Sequence, residues 1–189
     1  MLSNHFGHLF DRPLSSLAKT VDVNPNIITI AGFFITAAAA VTLSYDLLAG
    51  GILILVGGFF DMFDGIIART NKRSTEFGAF LDSVMDRYSD SFLFLGLAAY
   101  FLKHNSITGM SLSLGSMVGA LIISYARARA EGLGKECHTG LMERPDRIIL
   151  MALGALTGLI VPAMWIMLVL THFTVIQRIY HVWKVTRRP

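Results

Sequence analysis

Residues 61–69 read DMFDGIIAR and residues 78–86 read GAFLDSVMD, with eight residues between the two segments. Four carboxylates, Asp61, Asp64, Asp82 and Asp86, thus stand in otherwise apolar surroundings. On a helix, Asp61 and Asp64 share one face, while Gly78, Asp82 and Asp86 recur every fourth residue along one face of the next helix. Two antiparallel helices joined by the short 70–75 turn would point all four acids into one space. Acids placed within or beside membrane helices are costly without a balancing cation, so a functional site is expected rather than a set of solvated carboxylates. Oxygen ligands with no paired His or Cys favour Mg²⁺ or Mn²⁺ over zinc, with Ca²⁺ a further candidate.

The surroundings define the class. Of 189 residues, 53% are hydrophobic and 15% charged, and the mean hydropathy is +0.58; these values belong to integral membrane proteins. Weakly charged runs cover residues 27–45, 47–60, 91–102, 107–125, 148–159 and 161–176. A spanning helix needs roughly 20 residues, so the second, third and fifth runs suffice only if they continue into the charged residues beside them. The expectation is an all-α integral membrane protein: one domain over residues 1–189, with a six-helix bundle over 26–187. An amphipathic interfacial helix is expected over residues 2–20, where Leu9, Leu14, Leu17 and Ala18 form an apolar stripe and Arg12 and Lys19 face headgroups. Polar residues interrupt this segment too often for a cleavable signal peptide.

Basic residues set the expected orientation. With six spans, Arg12, Lys19, Lys72, Arg73, Lys135, Arg187 and Arg188 collect on one side, whereas Lys103 alone marks the other. The positive-inside rule then puts both termini, and the acidic motif with them, in the cytoplasm of a multi-pass cell-membrane protein. Cys137 is the only cysteine, which excludes an intrachain disulfide. The six histidines show no metal-ligand spacing. No nucleic-acid partner is expected.

Gly65 and Gly78 leave room for a close helix or a polyphosphate, and Arg69 follows Gly65 by one turn, where it could donate to phosphate oxygens. The complete pattern, D-x-x-D-G-x-x-A-R, eight residues, then G-x-x-x-D-x-x-x-D, resembles that of the CDP-alcohol phosphotransferases at every fixed position, Ala68 included. The resemblance implies a six-helix membrane enzyme, homodimeric, that displaces CMP from a CDP-linked lipid with the hydroxyl of a second alcohol. It further implies one or two metal ions, Mg²⁺ or Mn²⁺, on Asp61, Asp64, Asp82 and Asp86, with Asp86 as general base. Gly65, Ala68, Arg69, Thr75 and Gly78 would contact the CDP-lipid, as would Asn26, Ile27, Ile28 and Thr29, whose N-P-N-I-I-T context is similar to the family's usual start of the first helix.

The acceptor is expected from the arginines. Arg127 and Arg129 lie in YARARAE, Arg144 and Arg147 in ERPDR, and Arg178 in IQRIYHVW, so three helices bring guanidiniums to one side. Guanidinium grips phosphate through paired donors. These segments are similar to the prokaryotic phosphatidylinositol-phosphate synthase branch and its archaeal ether-lipid counterparts. By that resemblance Arg127, Arg147 and Arg178 hold the phosphate of inositol phosphate, and the donor is CDP-diacylglycerol or CDP-archaeol. One departure is Arg127, where some relatives carry Lys. Phosphatidylglycerophosphate synthesis from glycerol 3-phosphate is the close alternative. An ion-coupled transporter is the alternative of another class, although no repeat relates two halves.

Overall fold

The computed structural model describes residues 25–70 and 75–187, and they are all-helical. Six helices follow one another: α1 (Pro25–Leu43), α2 (Leu47–Thr70), α3 (Glu76–Lys103), α4 (Ile107–Glu131), α5 (Arg144–Thr157) and α6 (Ile160–Thr186). The expected interfacial helix over residues 2–20 lies outside the described residues.

Three of these helices, α1, α4 and α6, are long and apolar enough to cross a membrane. The other three continue past their apolar runs into charged sequence. α2 runs on through the acidic motif to Thr70, α3 begins at Glu76 before Asp82, Asp86 and Asp90, and α5 begins at Arg144. Burying backbone amides in intrahelical bonds is what makes this continuation favourable in an apolar environment. α5 has 14 residues, about 21 Å at a rise of about 1.5 Å per residue.

The helices close into a ring by their contacts: α1 packs on α2, α2 on α5, α5 on α6, α6 on α4, α4 on α3, and α3 back on α1. Leu43, Ile54, Leu93, Phe94, Leu97, Met151, Met164 and Met167 fill its interior. Small residues permit the closest approach. A Cβ on Gly96 of α3 would run into the backbone carbonyl of Ala40 on α1, so this crossing tolerates hydrogen alone. The outward faces carry Phe34, Val41, Leu55, Leu102, Val118, Trp165, Val169 and Ile176 exposed, the pattern of a bundle whose solvent is lipid.

Lys103, at the end of α3, is folded back on the chain. Its Nζ donates to the Ser44 carbonyl at 3.1 Å and lies 3.3 Å from the centroid of the Tyr45 ring, so the charge at this end is satisfied locally.

Replacing Gly96 with Val should force α1 and α3 apart and cost about 1–3 kcal/mol. A lowered thermal midpoint in detergent would register it, whereas an unchanged midpoint would mean that the crossing yields freely.

Candidate active site

The site is built at the end of the bundle where α2 finishes and α3 and α5 begin. Carboxylate oxygens of Asp61, Asp82 and Asp86 lie within 4.8 Å of one another. Asp61 comes from α2, and Asp82 and Asp86 stand one turn apart on α3. The fourth acid, Asp64, follows Asp61 by three residues on the backbone of α2. Three partly buried carboxylates so near one another, all oxygen and none on an imidazole or thiolate, fit a hard divalent cation.

The start of α3 is fixed by its cap. The Thr75 hydroxyl accepts from the Gly78 N–H at 3.0 Å, satisfying an amide that has no partner inside the helix. Thr75 therefore has a structural use beyond the expected nucleotide contact. A Cβ on Gly78 would stand 2.9 Å from the Thr75 hydroxyl and 3.1 Å from Oδ1 of Asn26. Three of the residues expected on the CDP moiety, Asn26, Thr75 and Gly78, are thereby brought together, with α1 and α3 meeting beside the acids. Ile27, Ile28 and Thr29 continue the first turns of α1, and Gly65, Ala68 and Arg69 lie on the final turns of α2.

On the other side of Asp86, a cavity of about 200 Å³ is lined by Asp86, Asp90, Arg127, Arg144, Arg147 and Arg178 among others. All three arginines expected to hold a phosphate thus reach one space from α4, α5 and α6. They are not equivalent. Arg147, fully buried, donates from Nε at 3.1 Å and from Nη2 at 2.6 Å to one oxygen of Asp90. Arg178, also buried, spends Nε on the Thr139 carbonyl at 3.0 Å and Nη1 on the Ile123 carbonyl at 2.6 Å. Those bonds tie α4 and the α4–α5 connection to α6. Arg127 is half-exposed and pairs with Glu131 at 2.8 Å, an interaction of little energetic weight at a surface.

Asp90 was missed by the sequence expectations, and Arg144 was named there among the basic residues without a role in the acidic site. Asp90 pairs with Arg147, and Arg144 joins the acids to the cavity: its Nη1 donates to Asp61 and lies 3.0 Å from Asp86 Oδ1, while its Nε stands 3.4 Å from Asp90 Oδ1. A signal for Asp90 was present, since Asp82, Asp86 and Asp90 extend one four-residue stripe. The first turn of α5 holds both arginines in place, with Pro145 at its start and the Glu143 N–H donating to Asp146 at 2.9 Å.

A second, wider groove of about 930 Å³ runs between α3 and α4. Asp82 and Asp86 line it, as do Phe80, Val84, Leu121 and Tyr125.

Residues 22–182 match the sequence profile of the CDP-alcohol phosphatidyltransferases. The chain belongs to that family. It is a transferase of phospholipid synthesis, and the transporter alternative finds no support. Archaetidylinositol phosphate synthase of Methanothermobacter thermautotrophicus is 37% identical over 188 residues, covering 96% of this chain and 94% of that one. Phosphatidylinositol phosphate synthase of Mycobacteroides abscessus is 36% identical over 182 residues, covering 90% and 82%. Crystal structures of the Mycobacterium tuberculosis phosphatidylinositol phosphate synthase superpose with TM-scores of 0.82 for the form with CDP-DAG bound and 0.81 for the complex with manganese and citrate. Both are 32% identical and cover 92% of this chain, and it covers 94% and 89% of theirs respectively.

Removing either partner of the Asp90–Arg147 pair leaves a buried charge alone, so Asp90→Ala should cost about 3–5 kcal/mol, read as a lower midpoint in detergent. With Asp86 as the expected general base, Asp86→Asn keeps the shape but cannot take a proton, so turnover should fall by about 10²–10⁴-fold while the CDP-lipid still binds. Single-turnover rates and a donor-binding isotherm on the same preparation separate the two effects.

Proposed function

We propose that this enzyme transfers a phosphatidyl or archaetidyl group from CDP-diacylglycerol or CDP-archaeol to a hydroxyl of inositol phosphate and releases CMP. The observation that carries this reading is that Asp86 lines both spaces. Its carboxylate stands beside those of Asp61 and Asp82 on one side and faces the arginine-lined cavity on the other. A diphosphate on the acids and a phosphorylated acceptor in the cavity would meet at this residue.

The chemistry is a single displacement. The acceptor hydroxyl oxygen attacks the lipid-bearing phosphorus, the bond from that phosphorus to the CMP oxygen breaks, and the electron pair leaves with CMP. The hydroxyl proton passes to Asp86, which acts as general base. Asp61, Asp64, Asp82 and Asp86 would hold one or two Mg²⁺ or Mn²⁺ ions, which when bound supply charge neutralisation at the diphosphate. Asn26 to Thr29, Gly65, Ala68, Arg69, Thr75 and Gly78 position the CDP moiety. The α3–α4 groove, acidic and apolar together, suits a ligand that is both diphosphate and lipid.

Arg127, Arg147 and Arg178 orient the acceptor through its phosphate. Their remaining donors gain an anion from a phosphorylated acceptor that a neutral alcohol does not supply, which disfavours an unphosphorylated alcohol. The names of the curated relatives support inositol phosphate as that acceptor. The reading extends to a single domain over residues 1–189 with six membrane-crossing helices, an amphipathic helix over 2–20 at the interface, both termini and the active site on the cytoplasmic side of the cell membrane, and a homodimer.

The test is CMP release from a CDP-lipid donor with inositol phosphate, free inositol and glycerol 3-phosphate in competition. Inositol phosphate should dominate, and Arg147→Ala should lower acceptor kcat/KM far more than it changes donor binding. Equal use of free inositol, or preference for glycerol 3-phosphate, would overturn the acceptor assignment.

A further inference from the structure

We propose that Arg144 is a tethered counter-ion: it balances the acidic triad until a divalent ion binds, and is then released to the anion cavity. The inference rests on the divalent-ion reading of Asp61, Asp82 and Asp86 given above.

One nitrogen carries the argument. Arg144 Nη1 donates to Asp61 and lies 3.0 Å from Asp86, two of the three acids whose oxygens converge. A divalent ion ligated by those acids draws on the same carboxylates and repels a guanidinium held against them, so ion and guanidinium compete. The side chain is mostly buried, which makes the contact strong and leaves little water to compensate for its loss.

Release has a destination. Arg144 also lines the cavity with Arg127, Arg147 and Arg178, and it sits at the first position of α5, where a change of side-chain rotamer alone moves the guanidinium. Asp90 supplies the pivot. Its Oδ1 is buried, makes no hydrogen bond and stands 3.4 Å from Arg144 Nε, while its Oδ2 is committed to Arg147. A guanidinium leaving Asp61 and Asp86 keeps a carboxylate partner as it turns toward the acceptor side. Ion binding then precedes acceptor binding, because Arg144, which already borders the cavity beside Arg87, Arg127, Arg147 and Arg178, has its Nη1 free for an anion only after the acids have been taken over.

The full chain, purified in detergent and stripped of metal with chelator, is titrated with Mn²⁺ while free Mn²⁺ is followed by electron paramagnetic resonance. Thermal midpoints are recorded with and without Mn²⁺. Arg144→Ala should tighten the first ion by roughly five-fold or more, because a competitor that keeps the site closed has been removed. Its midpoint should fall in chelator and return close to wild type when Mn²⁺ is bound. Arg144→Lys, which keeps the charge but cannot bridge two acids, should fall between the two and supplies the comparison if the Ala variant is not recovered without metal. Arg129→Ala, which removes an exposed charge from the end of α4, should bind Mn²⁺ as the wild type does. Unchanged or weaker Mn²⁺ binding by Arg144→Ala, or an equal loss of midpoint in chelator and in Mn²⁺, would overturn the proposal. Absence of Mn²⁺ binding to the wild type would instead overturn the metal-site reading beneath it.

Discussion

Acids gathered at the end of an apolar bundle need positive charge, and this requirement organises the rest of the molecule. Asp61, Asp82 and Asp86 converge, and their mutual repulsion in a medium of low polarity would drive the helices apart if nothing balanced it. Within the chain the balance comes from α5, whose first turn delivers Arg144 to Asp61 and Asp86 and Arg147 to Asp90. The short fifth helix is thereby explained. Its function in the bundle is to present two guanidiniums at the depth of the acids, and its apolar residues seat it against α2 and α6.

Opposite charges side by side also divide the site into two compartments. The carboxylates suit cations and, through them, a diphosphate, while the arginine-lined cavity suits the phosphate of an acceptor. Asp86 belongs to both, and Asp90 prevents the neighbouring guanidiniums from repelling one another. The ring of helix contacts matters here because the two compartments draw on α2, α3, α4, α5 and α6. Displacing any one of them would alter the distance between donor and acceptor groups, and phosphoryl transfer is sensitive to such placement.

Much of this was legible in the sequence for a local reason. The spacing of Asp61, Asp64, Gly78, Asp82 and Asp86 is a property of single helices, and the apolar runs predicted where the helices lie. The charged extensions of α2, α3 and α5 followed from length alone, since the bare runs were too short. What escaped was pairing between elements distant in sequence. Arg144 with Asp61, and Arg147 with Asp90, join α5 to α2 and α3, and helical spacing carries no information about which arginine meets which acid. Arg178 shows the same limit. It reaches the expected cavity, yet two of its donors are committed to the carbonyls of Ile123 and Thr139. Thr75, read as a nucleotide contact, is also the cap of α3.

The account stands or falls on whether cation and anion occupy adjoining compartments that meet at Asp86. Anomalous diffraction from crystals grown with Mn²⁺ and inositol phosphate measures this most directly. The account predicts an anomalous peak among the carboxylates of Asp61, Asp82 and Asp86, with phosphate density in the cavity of Arg127, Arg147 and Arg178. Manganese found only elsewhere, or a phosphate seated away from those arginines, would contradict it.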